Sequence, residues 1–372
     1  MKIPLSSPDI TQAEIDAVVA VLRSGRLSLG TKLEEFEAAF AGYAGVRHAA
    51  AASSGTAALH LAMRAFGIGE GDEVILPSFT FIAAANALRY EGATPVFIDI
   101  DAKTLNLDPQ RIEEAITPRT RGILAVHTFG VPAEMGAIQE IARRRKLLVI
   151  EDACEALGAE WGGKKTGTFG DAGVFGFYPN KQITTAEGGM VVTANEEIAA
   201  RIRSLRNHGR AATGSGSEHN ELGYNYRLSE LHCALGIEQL KRVECILRRR
   251  EAAALGYRRR LEKVGAVQLP LAEFPGGRIS WFVYVVRLAE GTTARQREEL
   301  MRRLASRGIE TGRYFAPIHQ QPAYEGVRVG RPLRVTESLA TRTLALPFFN
   351  SMTDAQLDEV CGALEESLRE LV

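Results

Sequence analysis

Apolar positions in the first part of the chain recur three and four residues apart. Ile15, Val18, Val19 and Leu22 follow a capping-box pattern, Thr11-Gln-Ala-Glu14, and Leu33, Phe36 and Phe40 follow a second, Thr31-Lys-Leu-Glu34. Two amphipathic helices are predicted there. The pattern then changes to short unbroken apolar runs at residues 46–52, 73–76, 94–100, 122–127 and 147–150. Helical spacing separates these runs, from Leu59 and at 83–90, 109–116 and 135–145, the third opened by Asp108 as N-cap and Pro109 at the first position. Continuous apolar strands alternating with helices predict a mostly parallel sheet covered on both faces. Further strands are expected at 173–178 and 190–193, a helix at 196–205, a mobile loop at 207–220, and a long helix from Ser229 whose arginines at 248–250 and 258–260 form a solvated face.

From about residue 250 the rhythm changes. Residues 281–288 alternate as a strand, 293–306 read as a helix, 308–314 as a strand and 353–371 as a final amphipathic helix. The predicted fold class is α/β. A large domain, residues 1–248, carries a mostly parallel central sheet flanked by helices, and a smaller α+β domain follows at 249–372.

The polar residues that interrupt this pattern carry the candidate chemistry. In doubly wound sheets, ligands lie beyond the carboxyl ends of the strands. Ser54, Gly55 and Thr56 follow one strand and open a helix, an arrangement that suits either a phosphate or an ordinary capped turn. Phe81 lies on a strand-end loop and Asp152 ends a buried strand. Lys181 stands between an apolar run and the pair Gly188-Gly189, with no other base beside it. A lysine desolvated there is freed for attack on a carbonyl, whereas most lysines sit on solvated faces. An aspartate opposite a protonated ring nitrogen, an aromatic to stack on the ring and a phosphate cup are what pyridoxal phosphate chemistry requires beside such a lysine. His127 and His319 each stand where either a structural or a pocket-lining role fits.

Composition removes several classes. Lys+Arg and Asp+Glu both number 45, so there is no basic surplus for nucleic acid. Four scattered cysteines without a CxxC pair, and seven histidines without metal spacing, predict free thiols in a reducing compartment and no metal site. The segment Gly158-Ala-Glu-Trp-Gly-Gly163-Lys164-Lys165 approaches a phosphate-binding loop, but Lys165 replaces the magnesium-binding hydroxyl and no helix follows. The N-terminus lacks a signal-peptide core and no apolar run spans a bilayer. A cytoplasmic protein with no membrane or nucleic-acid partner is expected.

Several long segments together resemble the DegT-like sugar-nucleotide aminotransferases, pyridoxal phosphate enzymes of fold type I. They are SSGTAALHLAM, GDEVILPSFTF, GATPVFIDID, VIEDACEALGA, GVFGFYPNKQITTAEGGM, LGYNYRLSELHCALG and YFAPIHQQPAY, spread over nearly the whole chain. The resemblance implies that Lys181 forms the Schiff base, Asp152 pairs with the pyridine nitrogen, Phe81 stacks on the ring, and Gly55 and Thr56 hold the phosphate. It also implies that Asn225 reaches the partner subunit's cofactor phosphate, hence a homodimer with shared active sites. Tyr314 and His319 are candidate contacts for a nucleotide-linked keto sugar, and glutamate or glutamine is the expected donor. Three positions depart from the commoner pattern. Glu155 replaces a Gln or His near the cofactor's phenolic oxygen, where a carboxylate is unfavourable unless protonated or turned away. Gly176 replaces a serine, leaving Asn180 or Asn225 to carry more of the phosphate, and Ala186 replaces a glycine. A sugar dehydratase and an inert cofactor-binding regulator are the alternatives; dehydratases of the family lack the lysine.

Overall fold

Seven strands form the central sheet of the computed structural model, which describes residues 2–210 and 218–370. Residues 211–217 of the loop expected at 207–220, and residue 371 of the final helix, lie outside the described residues. The strands in chain order are β1 (His48–Ala52), β2 (Glu73–Pro77), β3 (Thr94–Ile98), β4 (Thr120–Val126), β5 (Leu148–Asp152), the short hairpin β6 (Glu160–Trp161) and β7 (Lys164–Lys165), β8 (Ala172–Gly176) and β9 (Gly189–Thr193). The sheet order is β1-β9-β8-β5-β4-β2-β3. Four neighbour pairs are parallel, and β9 runs antiparallel to both its neighbours. Six strands therefore point one way and β9 alone is reversed. Its reversal follows from its connection: residues 177–188 join β8 to β9 without a crossover helix, which a parallel pairing would need. The β6–β7 hairpin occupies the phosphate-loop lookalike.

Both faces of the sheet are covered, as unbroken apolar strands require. On one side Leu59, Leu61 and Met63 of the helix Gly55–Ala65 pack with Leu88 and Ile202. On the other, Phe36 and Phe40 of the helix Thr31–Ala44 meet Phe175 and Phe177 with ring centroids 5.0–5.5 Å apart. Each fully buried Phe contributes about 2–3 kcal/mol of apolar transfer. Thr31 does not cap that helix as expected. The carboxylate of Glu230 accepts the N–H groups of Lys32 (2.9 Å) and Leu33 (3.2 Å), so a tertiary partner does the capping.

The sheet's two edges are occupied. Along β1, Arg203 donates to the Ala49 carbonyl (2.8 Å), Arg206 to that of Ala51 (2.6 Å), and Glu37 accepts the Ala51 N–H (2.9 Å). Along β3, the Phe97 N–H meets the Arg328 carbonyl (3.3 Å) and the Gly330 N–H meets the Phe97 carbonyl (2.9 Å).

The helix expected to run on from Ser229 is two helices, Glu230–Lys241 and Val243–Leu261, broken at Arg242. The second runs across residues 248 and 249. Beyond it, β10 (Val267–Gln268), β12 (Tyr284–Leu288) and β13 (Thr343–Leu346) form a three-stranded antiparallel sheet, while β11 (Gly277–Arg278) pairs with β6. The helices Ala294–Ser306 and Asp354–Arg369 cover the three-stranded sheet, and Ile3 is buried in the same core. Residues 308–314 are not a strand. They make only isolated bridges, Ile309 to Ile3 and Gly312 to Ala345, because their backbone is shared between two segments and no continuous ladder forms.

Candidate active site

The common direction of the six strands brings their carboxyl ends to one side of the sheet. A cavity of about 290 Å3 lies there. Ser54, Gly55 and Thr56 line it from the turn after β1, Phe81 from the loop after β2, Asp152 from the end of β5, and Glu155 from the segment beyond. Asn180 and Lys181 come from the β8–β9 connection, and Tyr314, Phe315 and Phe282 from the C-terminal part of the chain. The turn after β1 is held close: a Cβ on Gly189 would stand 2.4 Å from the Ser54 carbonyl oxygen, and one on Gly55 3.3 Å from both Cys154 Sγ and Gly176 Cα. These glycines let three loops meet beneath the cavity.

Lys181 lies between two unlike surfaces. Its Nζ is 3.9 Å from the centroid of the Phe282 ring and 3.8 Å from Glu155 Oε1, and its side chain is 15% exposed. Glu155 is buried, and its Oε2 accepts the Phe129 N–H (2.9 Å). Burial pushes its carboxyl up to about 7, outweighing the Lys181 ammonium and the Phe129 hydrogen bond, which oppose the rise. Asp152 Oδ1 accepts the Cys154 N–H at 3.1 Å. Burial, then the Glu155 charge, raises the Tyr314 phenol above its ordinary range.

Of the eleven residues assigned from sequence to the site, nine meet in this cavity: Ser54, Gly55, Thr56, Phe81, Asp152, Glu155, Asn180, Lys181 and Tyr314. Two do not line it. Asn225 is exposed, in a strip whose backbone bridges Asn207. It is flanked by the parallel rings of Tyr224 and Tyr226, 5.0 Å apart. His319 is turned to Ser78 and Glu337. Its backbone N–H donates to Ser78 Oγ (3.2 Å), so the Ser78 hydroxyl hydrogen is directed to the ring Nδ1 (2.7 Å), leaving Nε2 facing Glu337 at 3.2 Å. His127 is wholly buried, its Nδ1 accepting the Ala133 N–H and its Nε2 against Glu151. Gly176 has Cys154 Sγ 3.3 Å from where its Cβ would be, and Ala186 holds a left-handed φ of 67°.

Sequence reasoning missed Phe282 and Arg250. Arg250, expected on a solvated face, is 2% exposed. Its guanidinium donates to the carbonyls of Lys181 (3.0 Å) and Phe282 (3.1 Å). The spacing Leu247, Arg250, Ala254, Tyr257 already puts Arg250 on the buried face of its helix. For Phe282 no comparable local signal exists.

These residues fit pyridoxal phosphate. The first turn of the helix Gly55–Ala65 offers N–H groups to an anion, while Asn180 Oδ1, buried in the same cavity, is an acceptor without a donor and is no ligand for that anion. Phe81 is 59% exposed at the cavity, an aromatic face without cover. A carboxylate and an amine complete the donor set. Among the described residues no group of three or more His, Cys, Asp or Glu is arranged to hold a metal, and no helix is long and apolar enough to cross a membrane.

Comparison with known proteins agrees over the whole chain. Residues 8–365 match the DegT/DnrJ/EryC1/StrS aminotransferase family. The GDP-perosamine synthase of Caulobacter vibrioides is 41% identical over 99% of this chain and 98% of its own. The structure of S. venezuelae DesV in complex with a ketimine intermediate superposes with a TM-score of 0.90 at 38% identity, covering 99% of this chain and 98% of that one. The PLP form of Spr1654 from Streptococcus pneumoniae superposes at 0.95 with 26% identity over 100% of both chains.

Proposed function

The chain belongs to the DegT/DnrJ/EryC1/StrS aminotransferase family, and on that premise we propose that it aminates a keto sugar carried on GDP, with glutamate or glutamine as donor and Lys181 and Asp152 as the central pair. As a family member it is a pyridoxal phosphate-dependent sugar aminotransferase. GDP as the carrier follows the named relative, whose sequence aligns across nearly the full length of both chains. The observation that carries the assignment of residues is the meeting of Lys181, Asp152 and the start of the helix Gly55–Ala65 around one cavity.

Residues 54–56 would hold the phosphate, Phe81 the ring face and Asp152 the ring nitrogen. The bound group supplies an electron sink and a carbonyl through which nitrogen passes from donor to acceptor. Asp152, at the end of β5, would favour a proton on the ring nitrogen. Lys181 Nζ moves the proton, first as base and then as acid, on the side walled by Phe282. Phe81, Phe282 and Phe315 keep water from the reacting atoms. Asn225, exposed on its tyrosine-flanked strip, reaches the site of a second copy in a homodimer.

Incubation with a GDP-linked keto sugar and glutamate, read by mass spectrometry, is expected to give the GDP-linked amino sugar and 2-oxoglutarate. Lys181→Ala is expected to lose both the product and the visible absorbance of the lysine-bound cofactor. A Lys181→Ala protein that still transaminates at the wild-type rate overturns the assignment.

A further inference from the structure

We propose that Glu155 is the acid–base partner of Lys181, taking a proton from Nζ so that the amine is free to react and returning it afterwards. This rests on the reading of Lys181 given above. Among the described residues Glu155 is the only carboxylate within 4.0 Å of Lys181 Nζ. The 3.8 Å separation must shorten for a proton to pass, and the other group against the ammonium, the Phe282 ring, accepts none.

The carboxyl is held for this task by three segments. Oε2 is engaged by the Phe129 N–H, and Phe129 is in the left-handed region, at φ 55° and ψ 23°. A bulky residue held there costs about 1–3 kcal/mol, a strain that persists where the surroundings enforce it. The next residue, Gly130, has a φ of 84° and would put a Cβ 1.6 Å from the Ser280 carbonyl oxygen, so the turn is fixed from the other side too. The Gln182 side chain, one residue after the lysine, donates to the Glu155 backbone carbonyl (2.7 Å) and faces Ser280 Oγ (3.0 Å). With Oε2 fixed, Oε1 is the oxygen left for the lysine.

The transfer is balanced within the pair. An N–H bond on Nζ breaks and its electron pair stays on nitrogen, while an O–H bond forms on Oε1 of Glu155. The charged and titratable groups facing Glu155 are Lys181 from the β8–β9 connection, Asp152 from the end of β5, Cys154 on its own segment and Tyr314 from the C-terminal part. Only Lys181 is cationic. Burial holds the Glu155 carboxyl near 7, so it exchanges its proton in the neutral range, where an ordinary carboxyl is fully ionised.

The test is capture of pyridoxal phosphate by the full-length chain freed of cofactor, followed by absorbance and by borohydride trapping across pH. In the wild type the capture rate is expected to rise through a step near pH 7, as Glu155 ionises and becomes able to accept the proton. Glu155→Gln keeps the size and the Phe129 contact but accepts no proton. It is expected to lose the step and to capture on the order of 10²-fold more slowly above it, while Glu155→Asp restores the step with a slower rate. A Glu155→Gln protein with wild-type rate and pH profile overturns the proposal. If Glu155→Gln does not fold by circular dichroism, the wild-type carboxyl band in infrared spectra decides: conversion near pH 7 supports the proposal and its absence overturns it. A wild type with no adduct that Lys181→Ala removes overturns the reading of Lys181 itself, and this proposal with it.

Discussion

Glu155 makes the apoprotein's stability depend on pH in an uncommon direction. Its folded carboxyl stands at about 7 against an ordinary 4.5. Between those values the folded state binds the proton that the unfolded chain releases. The stability it contributes is complete below about 4.5 and is lost as pH rises through about 7, amounting to about 3 kcal/mol. Glu155→Gln removes the titration. Denaturant midpoints of the apoprotein at pH 5 and pH 8 are expected to show the variant gaining on the wild type at the higher pH by about that amount. An equal difference at both pH values would place the group's ionisation elsewhere. Residues of this kind were partly legible in the sequence. Lys181 and Asp152 stand out as polar punctuation at the ends of apolar runs. Glu155 stands out only as a departure from a pattern, because what gives it a role, the N–H of Phe129 and the distance to Lys181, comes from segments 26 residues away on either side.

At the scale of elements, the connection from β8 to β9 is a wide hairpin whose lysine is held from behind. Arg250 donates to the carbonyls of Asn180 (3.4 Å) and Lys181 (3.0 Å) with one nitrogen and to those of Phe282 (3.1 Å) and Trp281 (3.5 Å) with the other. It thereby ties the lysine loop to the segment bearing the ring over which Nζ lies. Burial pulls its guanidinium down to about 10, which leaves it protonated at neutral pH. Arg250→Met keeps much of the volume but leaves these buried carbonyls without donors. A loss of about 3 kcal/mol in chemical denaturation is expected, together with weaker cofactor retention on dialysis. Arg250→Lys is expected to recover little, since an ammonium cannot fork across two strands of backbone. The elements themselves were largely legible. The helices at 135–145 and 196–205 fall where their periodicity places them. The misplaced ones share a cause: at residues 308–314 and at Thr31, strand pairing and capping are decided by partners distant in sequence, β13 and Glu230.

For the whole molecule, the exposed strip around Asn225 gives the proposed homodimer its sharpest test. In the proposed shared site, Lys181→Ala and Asn225→Ala damage different chains. Co-expressed, the two variants are expected to regain about a quarter of wild-type sites if association is random, because half the dimers carry one site free of both changes. Mixed protein no more active than Asn225→Ala alone would show that each chain works by itself. The α/β class was legible from alternation, and the reversal of β9 was not, since a short apolar run reads the same in either direction.

The sealed rims of the central sheet bear on how such a molecule avoids its neighbours. An open strand is a template, able to recruit any extended chain through main-chain hydrogen bonds alone. Here one rim is closed by the guanidinium groups of Arg203 and Arg206 with the carboxylate of Glu37, and the other by a strip from the C-terminal part of the chain. Copies are therefore kept from lengthening the central sheet through main-chain pairing at these rims. The charges at the first rim act as gatekeepers against fibrous growth.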